Sequence, residues 1–169
     1  MLNQAGQVLK YPTWIYIVSR HILYDKDMVK NLVNEDYLAL AEFRHQIRRF
    51  LIVSEEIARS AGLQPQQYTM LLTLRGLPED KEPTIRVLAE RLQIRHNSAV
   101  ELANRLARRA LVSRVRSKED SRKVLIQLTP KGAALIEKLV RKRFAQLHSS
   151  QPALVEALNR VLDRTKKGE

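Results

Sequence analysis

Cysteine is absent from the 169 residues, which excludes disulfides, thiolate metal sites, a cysteine nucleophile and a thiol-based redox switch within this chain. Glycine is scarce, with five residues, and none builds a Walker loop, a dinucleotide-binding pattern or a nucleophile elbow. Aromatic residues make up 5% of the chain, little of the stacking surface on which single-strand binders rely. The four histidines, His21, His45, His96 and His148, are widely separated, and none stands at zinc-helix spacing with an acid. His45 either lines a ligand cavity or is an ordinary surface or interface histidine. Glu55 and Glu56 are adjacent on a helical stretch, so their carboxylates diverge and cannot share a substrate as an acid and base. No enzyme activity, metal or cofactor is expected. Long apolar runs are missing too. The stretch from Tyr11 to Tyr24 is broken by Arg20 and His21 and is followed by no small-residue cleavage site, so it neither spans a bilayer nor directs secretion. A soluble, cytoplasmic protein with no membrane partner is expected.

What the chain does have is a localised excess of positive charge. The net charge is +12, yet Met1 to Pro83 carries ten basic and ten acidic residues. Thr84 to Lys123 carries eleven basic residues against Glu90, Glu101, Glu119 and Asp120. Such a concentration predicts a polyanion partner whose binding weakens as salt rises, since each neutralised phosphate releases counterion. A solvated basic face or an anionic lipid surface is the alternative reading of charge alone.

Periodicity organises the rest. Ile47, Phe50, Leu51, Ile57, Ala58 and Ala61 recur at helical spacing between Leu38 and Ala61, with Gly62 as a stop. Pro65 opens a second helix through Tyr68, Leu71, Leu72 and Arg75 to Gly76, and Leu77 to Pro83 reads as a loop. Thr84 is a candidate N-cap for a short helix with Ile85, Leu88, Ala89 and Leu92 inward. After a turn around Gln93 to His96, a further helix runs to about Ala110 and buries Ala99, Leu102, Ala103 and Leu106. Two short helices joined by a tight turn form a helix-turn-helix, the second placed to read bases. The period then changes to alternation: Leu111 to Arg116 and Val124 to Leu128 predict two strands joined by the polar tip Ser117 to Lys123. Thr129 and Pro130 restart helix with the stripe Ile136, Leu139, Val140, Phe144 and Leu147, and a last helix opens near Pro152 with Leu154, Val155, Leu158, Val161 and Leu162. The expected fold is mostly α with a small β-wing, a winged helix-turn-helix at 63–129. Flanking it, 38–62 and 130–169 form a helical region whose apolar stripes call for a second copy of the chain. Residues 1–37 read as a peripheral extension, either a partner-binding arm or the product of a start site upstream of the true one at Met28.

These residues resemble the MarR family of winged-helix transcriptional regulators. The resemblance rests on Gly62 to Tyr68, Leu88 to Leu92, Asn104-Arg105-Leu106, Leu111-Val112, Glu119 to Arg122 and Leu128-Thr129-Pro130-Lys131-Gly132, and extends over about Leu38 to Leu162. It implies a homodimer that binds double-stranded DNA at a near-palindromic operator, with half-sites roughly 34 Å apart. It also implies repression, and release or tightening by a small aromatic or phenolic effector. The residues it assigns to DNA are Arg95, His96, Asn97 and Ser98 at the leading end of the recognition helix, then Glu101 and Arg105. Asn97 suits adenine, Arg95 guanine or phosphate, and Ser98 either; Glu101 either accepts from cytosine or orients a neighbouring arginine. On the wing, Arg122 is the minor-groove candidate with Asp120 bracing the loop. Lys118, Lys123, Arg114 and Arg116 are phosphate contacts or solvated strand residues. The family usually has glycine where Ala110 stands, implying a tighter or rotated corner. It often has a small cap where Arg95 stands, so a cap shifted to Asn97 would change which side chains reach bases. The alternative function is a winged-helix protein-interaction module without specific DNA binding.

Overall fold

The computed structural model describes residues 32–166 apart from 118, 121 and 151. Its elements run α1 Asn34–Ser60, α2 Pro65–Arg75, α3 Ile85–Leu92, α4 His96–Arg108, β1 Val112–Arg116, β2 Val124–Leu128, α5 Pro130–Ser150 and α6 Pro152–Lys166. The expected mainly helical fold with a two-stranded wing is present. Two compact units can be told apart, one made of 44–155 and one made of the two ends. Of the expected extension, residues 1–31 lie outside the described residues.

In the terminal unit, α1 begins four residues before the predicted Leu38. The cause is local: the Asp36 carboxylate accepts the Val33 N–H at 2.9 Å, and Glu35 and Asp36 place negative charge in the first turn, where the helix dipole favours it. Asp36 also accepts from Arg164 of α6 at 2.7 Å.

The larger unit is built around Ile57, Leu63, Met70, Leu71, Leu88, Leu106, Leu111, Ile126 and Ile136, all fully buried. At about 1.5–3 kcal/mol for each such side chain taken out of water, this cluster is the main stabilising term of the unit. Three helices feeding it stop in the same way. After α1, Gly62 takes φ +67, its N–H bonding Arg59 and that of Leu63 reaching back to Ala58. After α3, Gln93 takes φ 54, and Ile94 N–H reaches Ala89. After α4, Ala110 takes φ 54, and Leu111 N–H reaches Leu106. Each is a Schellman-type stop that satisfies orphan carbonyls and turns an apolar residue back to the core. At Ala110 the expected change of corner resolves into a left-handed backbone at a non-glycine residue, which carries strain instead.

The exit of the wing is equally specific. Thr129 accepts the Gly132 N–H at 3.0 Å and donates to the Ala110 carbonyl at 2.7 Å, so one hydroxyl caps α5 and pins the corner after α4. Lys131 donates to the Arg109 carbonyl at 3.1 Å. Gly132 lies against the Leu111 backbone so closely that a Cβ would overlap the Leu111 carbonyl oxygen. The Leu-Thr-Pro-Lys-Gly run is therefore a docking motif between the start of α5 and the end of α4.

Two expected stripes divide: Ile57, Ala58, Ile136 and Leu139 are buried, whereas Phe144, at 63%, and Ile47, Phe50 and Leu51 of α1 are exposed. The side chain of Leu147 lies outside the described ones. Arg143, by contrast, is only 6% exposed. Its guanidinium sits 4.3 Å from the centre of the Phe50 ring and donates from Nη2 to the Phe50 carbonyl at 3.2 Å. Its Nε and Nη1 are buried with no partner among the described residues. Burial holds its pKa below the usual arginine value and pushes the Tyr68 phenol up, against the pull of the nearby Arg143 charge.

Candidate nucleic-acid interface

Thr84 caps α3 as expected, its hydroxyl accepting the Val87 N–H at 3.3 Å. α4 starts at His96 with Arg95 in the cap position, extended and without a side-chain cap bond. The cap does not move to Asn97. Ala99, Leu102, Ala103 and Leu106 are buried on one face of α4, which leaves Arg95, His96, Asn97 and Ser98 exposed at its leading end. No acid occupies the first turn of α4, so the N–H groups and dipole there are free to meet an anion. Glu101 lies 3.9 Å from Arg105, one turn along, and both are exposed.

The strands pair antiparallel from Val112 with Leu128 to Arg116 with Val124. Toward the tip the inner face is no longer covered: Val124 shares the face of the buried Ile126 yet is 44% exposed, while Val115, on the opposite face beside Leu125, is 41% exposed. Its base is wider than the sequence indicated. Thr84 bridges to Leu125, and the Ile126 N–H donates to the Pro83 carbonyl at 2.9 Å, which gives the wing a short third edge from the loop before α3.

At the tip, Arg122 donates to Asp120 through both its backbone N–H, at 3.0 Å, and Nε, at 3.3 Å. Its side chain is nevertheless 91% exposed. Lys118 lies outside the described residues. Lys123 is ion-paired, its Nζ bonded to Glu82 at 2.5 Å, with 45% of its side chain still exposed. Arg114 likewise is engaged, donating to Asn104 of α4 at 2.6 Å and tying the strand to that helix. Glu82, Ser117 and Asn104 escaped sequence reasoning because their roles depend on partners distant in the chain. The proximity of Arg109 to Gly62, whose carbonyl it reaches at 2.8 Å, was hidden for the same reason. Arg91 and Arg116 are exposed and make no ion pair among the described residues; Arg91 adds a cation that the motif had not marked.

Residues 61–123 match the sequence profile of the MarR family. An organic hydroperoxide resistance transcriptional regulator of Bacillus subtilis (strain 168) is 37% identical over 73 residues, 43% of this chain and 50% of the relative. The chain thus matches about half the length of that relative. Among solved structures, a MarR family protein from Bacillus stearothermophilus is 25% identical with a TM-score of 0.59, covering 80% of this chain and 97% of its own. AbsC, a MarR family transcriptional regulator from Streptomyces coelicolor, shares the fold at 19% identity with a TM-score of 0.63, over 75% of this chain and 84% of its own. A mutant of S. aureus MepR bound to an oligodeoxyribonucleotide shares it at 22% identity with a TM-score of 0.53, over 80% and 96%. By profile over 61–123 and by fold over most of its described length, this chain is similar to the winged helix-turn-helix proteins of the MarR family.

Proposed function

We propose that the protein is a transcriptional regulator that binds double-stranded DNA sequence-specifically, acting as a homodimer on a near-palindromic operator. The observation that carries this reading is the pairing of an acid-free, exposed α4 N-terminus, with Arg95 to Ser98 on it, and a wing whose tip presents Arg122 almost wholly to solvent. α4 is shaped for the major groove and Arg122 for the minor groove. The kinship of 61–123 to transcriptional regulators supports the same role. No described helix is long and apolar enough to cross a membrane; the location proposed along with the regulator's role is cytoplasmic.

The sign of regulation is proposed to be repression, and a small aromatic or phenolic compound its effector. An open groove of about 380 Å³ between α2, the loop at 77–83 and β2, lined by Leu74, Arg75, Leu77, Lys81, Pro83 and Ile126, is one place where such a compound could rest. The hydroperoxide resistance in the relative's name is not carried over to this chain. Selection of bound sequences from a random duplex pool, followed by titration of the winner across a salt series, tests the reading. A symmetric motif with a steep salt dependence is expected. No duplex binding even at low salt would leave the winged helix as a protein-interaction module.

A further inference from the structure

The loop from 77 to 83 reaches the wing through a single carboxylate. Glu82 Oε1 accepts from the Ser117 hydroxyl at 3.3 Å, and Oε2 accepts from Lys123 Nζ at 2.5 Å. Ser117 and Lys123 are the two feet of the tip: the Ser117 N–H donates to the Lys123 carbonyl at 3.0 Å, closing the hairpin just below it. Ser117 is buried, and its hydroxyl oxygen also accepts the N–H groups of Glu119 and Asp120 at 3.3 and 3.5 Å. Asp120 in turn accepts from Arg122. A continuous relay therefore runs from Glu82 through Ser117 and Asp120 to the Arg122 guanidinium. At its other end Glu82 is fixed to the helix-turn-helix, because its carbonyl accepts the Thr84 N–H at 2.8 Å and Thr84 caps α3.

Electrostatics alone argues against an acid here. A carboxylate beside the wing subtracts positive charge from a face that would meet phosphates, and by long-range attraction its removal should tighten binding to every duplex. We propose that Glu82 is a positioning residue for the wing, holding both feet of the tip so that Arg122 stands at a set height above the recognition helix. On this view Lys123 serves as one jaw of the clamp rather than as a phosphate contact. The inference rests on the reading of Arg122 as the minor-groove residue.

The test compares full-length wild type, Glu82→Gln, Glu82→Asp, Lys123→Met and Arg122→Ala on two duplexes of about 30 bp, roughly three helical turns. One carries A-tracts and the other is G·C-rich, and fluorescence anisotropy is read across a salt series. Narrow A-tract minor grooves attract an inserted guanidinium, so wild type should favour the A-tract duplex, and Arg122→Ala should lose that preference. Glu82→Gln should lose it too, roughly fivefold to tenfold in the affinity ratio, while binding the G·C-rich duplex at least as well as wild type. Glu82→Asp keeps the charge but is one methylene too short for both feet, and should lose the preference as well. Lys123→Met should do the same without lowering the salt slope on G·C-rich DNA. Binding to the G·C-rich duplex serves as the check that a variant is folded.

Equal tightening on both duplexes by Glu82→Gln would overturn the proposal and reduce Glu82 to a background charge. So would a Glu82→Asp variant indistinguishable from wild type, or a salt slope lowered by about one in Lys123→Met, the sign of a lost phosphate contact. Wild-type protein that binds neither duplex would sink the DNA-binding reading together with this one, and is told apart by the first titration.

Discussion

At Ala110 the backbone stands at φ 54, where an L residue sets its Cβ against the following carbonyl at a cost of about 1–2 kcal/mol. Ala110→Gly removes that clash but gains unfolded-state freedom, so a net stabilisation of roughly 0.5–1 kcal/mol is expected in urea denaturation. Gly132→Ala has the opposite sign. With the Leu111 carbonyl in the way of any Cβ, α5 must shift off the corner, and a loss of about 1–3 kcal/mol is expected in the same assay. Arg143 offers a different kind of change. It buries a charge with two donors unmet among the described residues, and such groups are often replaced by an apolar side chain with a gain of about 1–3 kcal/mol. Arg143→Met should therefore raise the urea midpoint. Glu82 is predicted to titrate abnormally: the hydrogen bond from Lys123, with its charge, holds the carboxyl below its ordinary 4.5. Its pairing is complete above pH 4.5 and is lost as acid passes the lowered pKa. The same contact holds Lys123 above 10.5, so the pairing is complete below 10.5 and fades as base passes the raised value. An NMR titration of Glu82 should show a midpoint under 4.5, moving back toward it in Lys123→Met. Ala110 and Gly132 were marked in the sequence by the resemblance, but Arg143 and Glu82 looked ordinary, because their partners are distant in the chain.

Element by element, the sequence was most legible where period and cap agreed. α3 is announced by Thr84 and by an apolar stripe of the right spacing, and α5 by Thr129 and Pro130. At Gln93 and Ala110 the period placed the helix ends but not their left-handed conformation, which announces itself only when the residue is glycine. The wing was predicted as two alternating strands; its third edge at Thr84 and its uncovered tip arise from packing and from reach, which periodicity does not encode. The two reading elements should also behave differently on DNA. Asn97→Ala should cost on the order of 1–3 kcal/mol at the selected site and little on random duplex. Arg122→Ala should weaken all duplexes and lower the salt slope by about one. Equal effects of the two changes on specific and random DNA, read in the same titration, would contradict the groove assignments.

For the whole molecule, the pattern of what is left uncovered carries the prediction. In the larger unit, Ile47, Phe50 and Leu51 of α1, Phe144 of α5 and Val155 of α6 are exposed; in the terminal unit, so are Leu38, Leu40, Leu158 and Leu162. Apolar faces of this extent are seldom left to water in a stable protein. A two-fold dimer, the commonest closed assembly, would cover like with like and set two winged helices side by side. Sedimentation of the full-length chain is expected to report a dimer. Leu51→Glu should shift it toward monomer and abolish tight operator binding, while the melting of the 44–155 unit persists.

Local chemistry determined the order of helices, the hairpin and the location of excess charge, because these follow from side-chain period, caps and composition within a few residues. That much could be read along the chain. Which of the cations are held by partners distant in the chain was decided only in three dimensions. Lys123, Arg109 and Arg114 found acceptors 41, 47 and 10 residues away, whereas Arg95 and Arg122 stayed open to solvent. A charge is available to a ligand only after the fold has settled its nearest neighbours, and those neighbours are seldom its neighbours in sequence.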